Sequence, residues 1–320
     1  MNKRDFLATL GVVLLCFIAA NFAMAKWTAR IRGMQKLDAI EAATKANTLV
    51  VGNSLLDYTL DEQVFQDTAR SASADLIPLN TAISATSAPE HYLLFSRALR
   101  LLPGIHTVVI GFYDFQLTAE RQVKVSDMGF DRMVAFNPRV PIRDAESIYA
   151  FSPQEKLLFR LFRALPLIAF RFNIWHPVER LRISLGGPEY SMDKIIEEVY
   201  GYGAAGFHGT VTHLNAPMDR LIRDAQARHC QVIFVLMPMA PRHLKVCYAQ
   251  PLWQNYQAEV TRVLAEDRCG FIDATTWFPS PDYFKDSIHL NERAVEPLSV
   301  KLANAVVAER SAMRSRWPVQ

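Results

Sequence analysis

Thr48-Leu49-Val50-Val51-Gly52-Asn53-Ser54 joins a short apolar run to a glycine turn, and Leu55 to Ala69 behind it has helical spacing with Asp57, Asp61 and Glu62 near its start. An apolar run that stops at glycine reads as a buried strand, and acidic residues favour the first turn of a helix. Gly52-Asn53-Ser54 therefore stands at a strand-to-helix junction. Outward from it the same rhythm returns. Asp75 to Leu79 reads as a second strand running into Asn80-Thr-Ala-Ile-Ser-Ala-Thr-Ser87, and His91 to Leu102 as a helix. Thr107 to Ile110 is the third strand and ends at Gly111-Phe-Tyr-Asp114. A helix over Asp219 to His229, a strand over Gln231 to Leu236, a helix over Trp253 to Asp267, a short strand over Gly270 to Ile272 and a last helix over Glu292 to Val307 follow. Such alternation implies a largely parallel sheet covered on both faces.

Roughly a hundred residues between Phe115 and Pro217 break the rhythm, far more than an α/β connection needs, and mark an insertion at about 116–216. Its centre, Glu155 to Leu185, mixes Leu, Phe, Ile and Trp175 with Arg160, Arg163, Arg171, Arg180 and Arg182 and has almost no acids. A helical cap near an anionic membrane surface fits that composition, and so does a hairpin packed on the domain with its arginines in solvent.

At the N-terminus, Phe6 to Ala25 is an uncharged apolar run behind a basic start, just long enough to cross a bilayer. Ala23-Met24-Ala25 resembles a signal-peptidase site, so residues 1–25 are a cleaved signal peptide or a retained signal anchor, with the anchor favoured. The residues before Cys16 are too bulky for lipidation there. Lys26, Arg30, Arg32 and Lys36 rival the charge before the run, which by the positive-inside rule would favour a cytoplasmic body. Residues 26–47 read as a connecting helix, 48–309 as one α/β domain carrying the insertion, and 310–320 as a frayed basic tail.

Composition excludes several classes. The 35 Lys and Arg nearly balance 32 Asp and Glu, with no basic stripe, so nucleic acid is not an expected partner. Four cysteines match no zinc pattern; Cys16 lies in the leader, and Cys230, Cys247 and Cys269 allow at most one disulfide. His208 and His213 lack carboxylate or sulfur partners nearby, so no metal site is expected, and without a phosphate-binding glycine loop no cofactor is implied either.

In open α/β sheets ligands gather at the carboxyl ends of the strands. Ser54 follows such an end. A serine on a sharp turn exposes its hydroxyl beside main-chain amides, as a nucleophile next to an oxyanion hole requires, although a serine there also serves as a plain helix cap. Near the other end stands Asp286-Ser-Ile-His289-Leu290, just before the last helix. Two residues between Asp and His let both side chains approach one point, and an imidazole held by a carboxylate is a competent base for a serine hydroxyl.

This order, an early strand-turn Ser and an Asp-x-x-His before the last helix, resembles the SGNH hydrolases, the GDSL-type esterases. Val50-Val-Gly-Asn-Ser54 corresponds to the first family block with Asn53 where Asp is usual, Gly111-Phe-Tyr-Asp114 occupies the third, and Phe284-Lys-Asp286-Ser-Ile-His289-Leu290 fits the last. The likeness spans about Thr48 to Val307 apart from the insertion. Pattern and resemblance together imply a single flavodoxin-like three-layer α/β/α domain with a mostly parallel sheet, an N-terminal membrane segment and a helical insertion. The resemblance implies Ser54 as nucleophile, His289 as general base and Asp286 as its orienting carboxylate, with the Ser54 amide as one oxyanion donor. The family places a Gly after the second strand and an Asn in the third block as further donors; this chain has Ser84 or Ala85 and Tyr113 there. Asn53, Asn80, Ser84, Tyr113 and Asp114 are thus the candidate oxyanion or substrate-binding residues, Asp114 as a cap or a holder of the Ser54 loop. Met237-Pro-Met-Ala-Pro241, the anchor and the insertion resemble membrane-anchored SGNH-like proteins of the cell envelope; His243, just past these prolines, reads as an exposed loop residue or a site-lining one. That resemblance implies a body in the periplasm or extracytoplasmic space, or secreted if the leader is cleaved. It implies acylated polysaccharide or another envelope polymer as substrate, and a membrane-bound O-acyltransferase as partner. Two functions stay open: a serine esterase or O-acyltransferase working through an acyl-serine, or a non-catalytic SGNH-like subunit that binds acylated polymer or scaffolds a membrane acylation complex.

Overall fold

Four of the five strands are runs of β-branched and large apolar residues: β1 Thr48–Val51, β3 Thr107–Phe112, β4 Gln231–Leu236 and β5 Gly270–Asp273; β2 is the shorter Pro78–Asn80. Every residue of β1 and β3 is buried, the pattern of strands covered on both faces. In this computed structural model, which describes residues 2–28, 32–119, 124–125, 128, 133–165, 167 and 191–317, the strands pair in parallel in the order β2-β1-β3-β4-β5. That is the flavodoxin-like doubly wound order, whose direction reverses between β1 and β3 and leaves a crevice beyond their carboxyl ends. Ser54 and the Tyr113-Asp114 turn both lie at that end.

Helices flank the sheet in an α/β/α arrangement. Among the described residues the α-helices of four residues or more in the whole chain are, in order, α1 Lys3–Thr28, α2 Arg32–Ala42, α3 Ser54–Asp57, α4 Glu62–Ser71, α5 Ala88–Leu101, α6 Met133–Phe136, α7 Ile142–Ile148, α8 Pro153–Ala164, α9 Met192–Ala205, α10 Ala216–Gln226, α11 Pro251–Glu266 and α12 Val295–Arg316. α4 packs with α12 and α5 with α10. The helix expected over Leu55 to Ala69 is two. Asp61 ends the interruption as the cap of α4, its Oδ1 accepting from the amides of Gln63 and Val64 at 2.9 and 3.0 Å, an arrangement worth about 1 kcal/mol. α3 lies close on β3 because Gly111 has no side chain: a Cβ there would stand 2.3 Å from Leu56 Cδ1.

The last helix runs further than its spacing suggested. Residues 310–316, expected as part of a frayed tail, continue α12; Met313 is buried and Arg310 donates to Gln231 Oε1. The cause lies on β5, where a Cβ at Gly270 would meet Glu309 Cγ and Met313 Sδ at 2.8 Å, so the glycine makes room for that turn. Cys230, Cys247 and Cys269 are buried free thiols; burial pushes the Cys230 thiol up to about 11 and Cys247 to about 12.

The chain divides into two compact units. Ala39–Gln122 with Glu189–Gln320 contains the sheet and the helices around it; Met1–Asp38 with Val123–Pro188 contains α1 and α6 to α8. α9, from the stretch read as insertion, thus belongs to the sheet-bearing unit, where Tyr200 donates to the Cys247 carbonyl at 2.9 Å. In the other unit Phe136, Phe151 and Phe159 pack ring to ring and Arg160 pairs with Glu146. The Arg171, Arg180 and Arg182 part of the insertion lies outside the described residues. Within α1, Lys3–Lys26 is long and apolar enough to cross a membrane, consistent with a signal sequence or a membrane anchor.

Candidate active site

Ser54 is the first residue of α3, where Asn53 turns the chain out of β1. Asn53 is buried and extended; its Oδ1 accepts from the Leu55 amide at 3.0 Å and its Nδ2 donates to Gln116 Oε1 at 3.0 Å. Gln116 Oε1 also accepts from the Tyr113 amide at 3.3 Å, so one side-chain oxygen ties the turn after β1 to the turn after β3.

Ser54 Oγ stands 2.8 Å from His289 Nε2. On its other side the His289 ring presents Nδ1 to both Asp286 oxygens, Oδ2 at 2.8 Å and Oδ1 at 3.0 Å. A nitrogen facing a carboxylate carries the proton, which leaves Nε2 as an acceptor for the serine hydroxyl. The loop builds this orientation from its own chain, because Asp286 Oδ1 also accepts from the amides of Ile288 at 3.0 Å and His289 at 2.8 Å. Burial opposes ionisation of Asp286, but the His289 ring and these two amides outweigh it and hold its carboxyl below the ordinary carboxylate value. The His289 side chain is 27 % exposed.

The remaining candidates divide. Asn80 is buried and its Nδ2 donates to the Leu56 carbonyl at 2.9 Å while its Oδ1 accepts from the Ala82 amide, so both ends of the side chain brace the loop. Ser84 gives both its amide and its hydroxyl to Asp57 Oδ2 at 3.0 Å. Ala85 beside it has φ +60°, the left-handed conformation that favours glycine, so the backbone shape of a glycine turn persists without the glycine. Among the described residues the amides of Ser54 and Ala85 have no intramolecular acceptor. Tyr113 is largely desolvated and lies within the fields of Asp114 and Asp286; burial first and these charges second push its hydroxyl well above the ordinary value.

Asp114 and His243 form a second acid–imidazole pair. Asp114, at φ +48°, holds His243 Nε2 at 2.8 Å through Oδ1, and its amide donates to the Tyr248 hydroxyl at 3.0 Å. His243 is buried, with Tyr200 and Tyr248 edge-on to its ring. It is not an exposed loop histidine. The pairing was legible in principle, since Phe112 and Leu236 are register partners and the two residues lie just past the ends of adjacent strands. Gln116, by contrast, carries no signal in the sequence.

No family model matches the chain, and no curated protein matches it in sequence. Among solved structures it is similar in chain path to a GDSL-like lipase from Bacteroides thetaiotaomicron (11 % identity, 87 % of this chain and 98 % of that one, TM-score 0.40). A lipase/acylhydrolase from Enterococcus faecalis gives 12 % identity over 82 % and 96 % of the two chains at TM-score 0.41. The psychrotrophic esterase EstA from a Pseudoalteromonas species gives 10 %, 84 %, 99 % and 0.38. These values describe a distant likeness of path.

Proposed function

We propose that this chain is a serine esterase or O-acyltransferase that works through an acyl-serine intermediate on ester-linked acyl groups of a cell-envelope polymer. The observation that carries the chemistry is the unbroken line Ser54 Oγ, His289, Asp286. Ser54 Oγ attacks the ester carbonyl carbon while His289 Nε2 takes the hydroxyl proton, and Asp286 stabilises the imidazolium. The tetrahedral oxyanion is met by the amides of Ser54 and Ala85. As the carbon–oxygen bond to the alcohol breaks, His289 returns its proton to that alcohol and leaves the acyl group on Ser54. Water or a sugar hydroxyl then gives its proton to His289 and attacks the acyl carbon; the bond to Ser54 Oγ breaks, His289 returns the proton to that oxygen, and the free acid or the new ester leaves. α1 holds the enzyme at the membrane with its body outside, and the polymer assignment comes from the resemblance to anchored envelope proteins.

One observation favours a second reading. Tyr113 stands where an asparagine donor is expected, and the side chains of Asn80 and Ser84 are bound elsewhere. Loss of one preorganised donor costs about two to three orders of magnitude in turnover. A chain with that loss fits a subunit that binds acylated polymer or scaffolds an acylation complex. Turnover of p-nitrophenyl acetate and butyrate by the full chain and by Ser54→Ala separates the two: Ser54-dependent hydrolysis supports the enzyme, and equal rates in both proteins support the binding subunit.

A further inference from the structure

Ser287 lies between the acid and the base of the Ser54 site, is 3 % exposed, and has every polar group engaged. Its amide and hydroxyl both donate to Asp193 Oδ1, at 2.8 and 2.6 Å, and its carbonyl accepts from the Ala240 amide at 3.1 Å. Asp193 is in the first turn of α9, in the stretch that interrupts the βα rhythm, and its side chain faces the loop instead of capping its own helix. Its second oxygen lies 3.5 Å from Arg242 Nη1, and Arg242 donates to Glu197 one turn along α9.

We infer that Asp193 is a positioning residue for catalysis, a carboxylate that clamps the Asp286-Ser-Ile-His289 loop from outside so that His289 meets Ser54. The inference rests on the acyl-serine reading of that site. Asp286 sets the inner geometry of the loop through the amides of Ile288 and His289, while buried Ile288 and the Ala240 amide on the Ser287 carbonyl hold it over the sheet. The two bonds from Ser287 to one carboxylate oxygen add a tie to α9, and bonds to a carboxylate are stronger than those between neutral groups. α9 is itself anchored to the turn after β4 by Arg242 and by Tyr200. The clamp thus ties the base-bearing loop to a helix that the repeating α/β pattern did not require.

The test uses the full chain in mild detergent, comparing Asp193→Ala, Asp193→Asn and Ser287→Ala. The readouts are the rate of Ser54 phosphonylation by a fluorophosphonate, kcat and KM on p-nitrophenyl acetate, the pH profile of kcat/KM, and Tm. Misplacement of a catalytic group by a fraction of an ångström to one ångström predicts a fall of about 10- to 100-fold in kcat for Asp193→Ala, with KM within about twofold. The acid limb of the pH profile should move, because His289 is less firmly held against Asp286. Asp193→Asn, whose amide oxygen still accepts both bonds, should recover most of the rate. If Asp193→Ala melts early, Ser287→Ala decides: it keeps the main-chain bond, and a partial loss of phosphonylation rate at unchanged Tm supports the clamp. Wild-type rates and pH profile in Asp193→Ala, or in Ser287→Ala in that case, would overturn it. A wild-type chain whose Ser54 does not react at all would instead defeat the acyl-serine reading, and the clamp with it.

Discussion

Asp286–His289 and Asp114–His243 are bonded over the same 2.8 Å, and both sit past the carboxyl ends of the sheet. They differ in what the second ring nitrogen meets. His289 Nε2 meets Ser54 Oγ, on a side chain 27 % exposed; His243 Nδ1 is buried without a partner among the described residues, on a side chain 1 % exposed and packed against Tyr200 and Tyr248. On the acyl-serine proposal the pairing of acid and imidazole does not by itself mark a base; a hydroxyl on the far nitrogen of a partly exposed ring does. The buried pair instead fixes the left-handed turn at Asp114, and through Tyr113 and Gln116 that turn supports Asn53 beside Ser54.

The contrast is sharpest in turnover. His289→Ala should lower ester hydrolysis by on the order of 10⁴-fold or more, whereas His243→Phe should change kcat by less than about 10-fold, measured on the same p-nitrophenyl ester. Equal losses in the two variants would erase the distinction. Next in size is Asp286→Asn, for which a fall of about 10³- to 10⁴-fold is expected with KM little changed, because with the asparagine oxygen on the amides of Ile288 and His289 its NH2 group faces Nδ1 and favours the wrong tautomer. Stability reverses the ranking. His243→Phe leaves the Asp114 carboxylate buried without its donor and should cost roughly 1–3 kcal/mol in denaturant unfolding, while His289→Ala, at a half-open site, should cost less. The smallest effect is on acid stability. Asp286 ionises more readily folded than unfolded, so its contribution is present above the ordinary carboxylate value and lost as pH falls through the lower folded value. Wild type should lose more unfolding free energy than Asp286→Asn between about pH 5 and pH 3.

The strands were legible because continuous β-branched runs leave few alternatives, and β4 occurs over the residues its pattern named. Ser54, Asp286 and His289 were legible as a set because their order along the chain is informative, and the fold brings all three into hydrogen-bond contact. What was not legible depends on contacts between distant segments. Met313 packing over Gly270 carries α12 past its expected end, and the Asp193 clamp arrives from a segment whose spacing says nothing about where it docks. Asn80 and Ser84 were plausible donors by position alone; only their acceptors, Leu56 and Asp57, reveal them as braces.

The central claim is that Ser54 is a nucleophile activated by His289. Its most direct test is intact-mass and peptide mapping of the full chain after treatment with a fluorophosphonate probe. One adduct per chain on Ser54, lost in Ser54→Ala and strongly slowed in His289→Ala, is the predicted result. A folded wild-type chain that takes up no adduct, or takes it up at another residue, would contradict the claim.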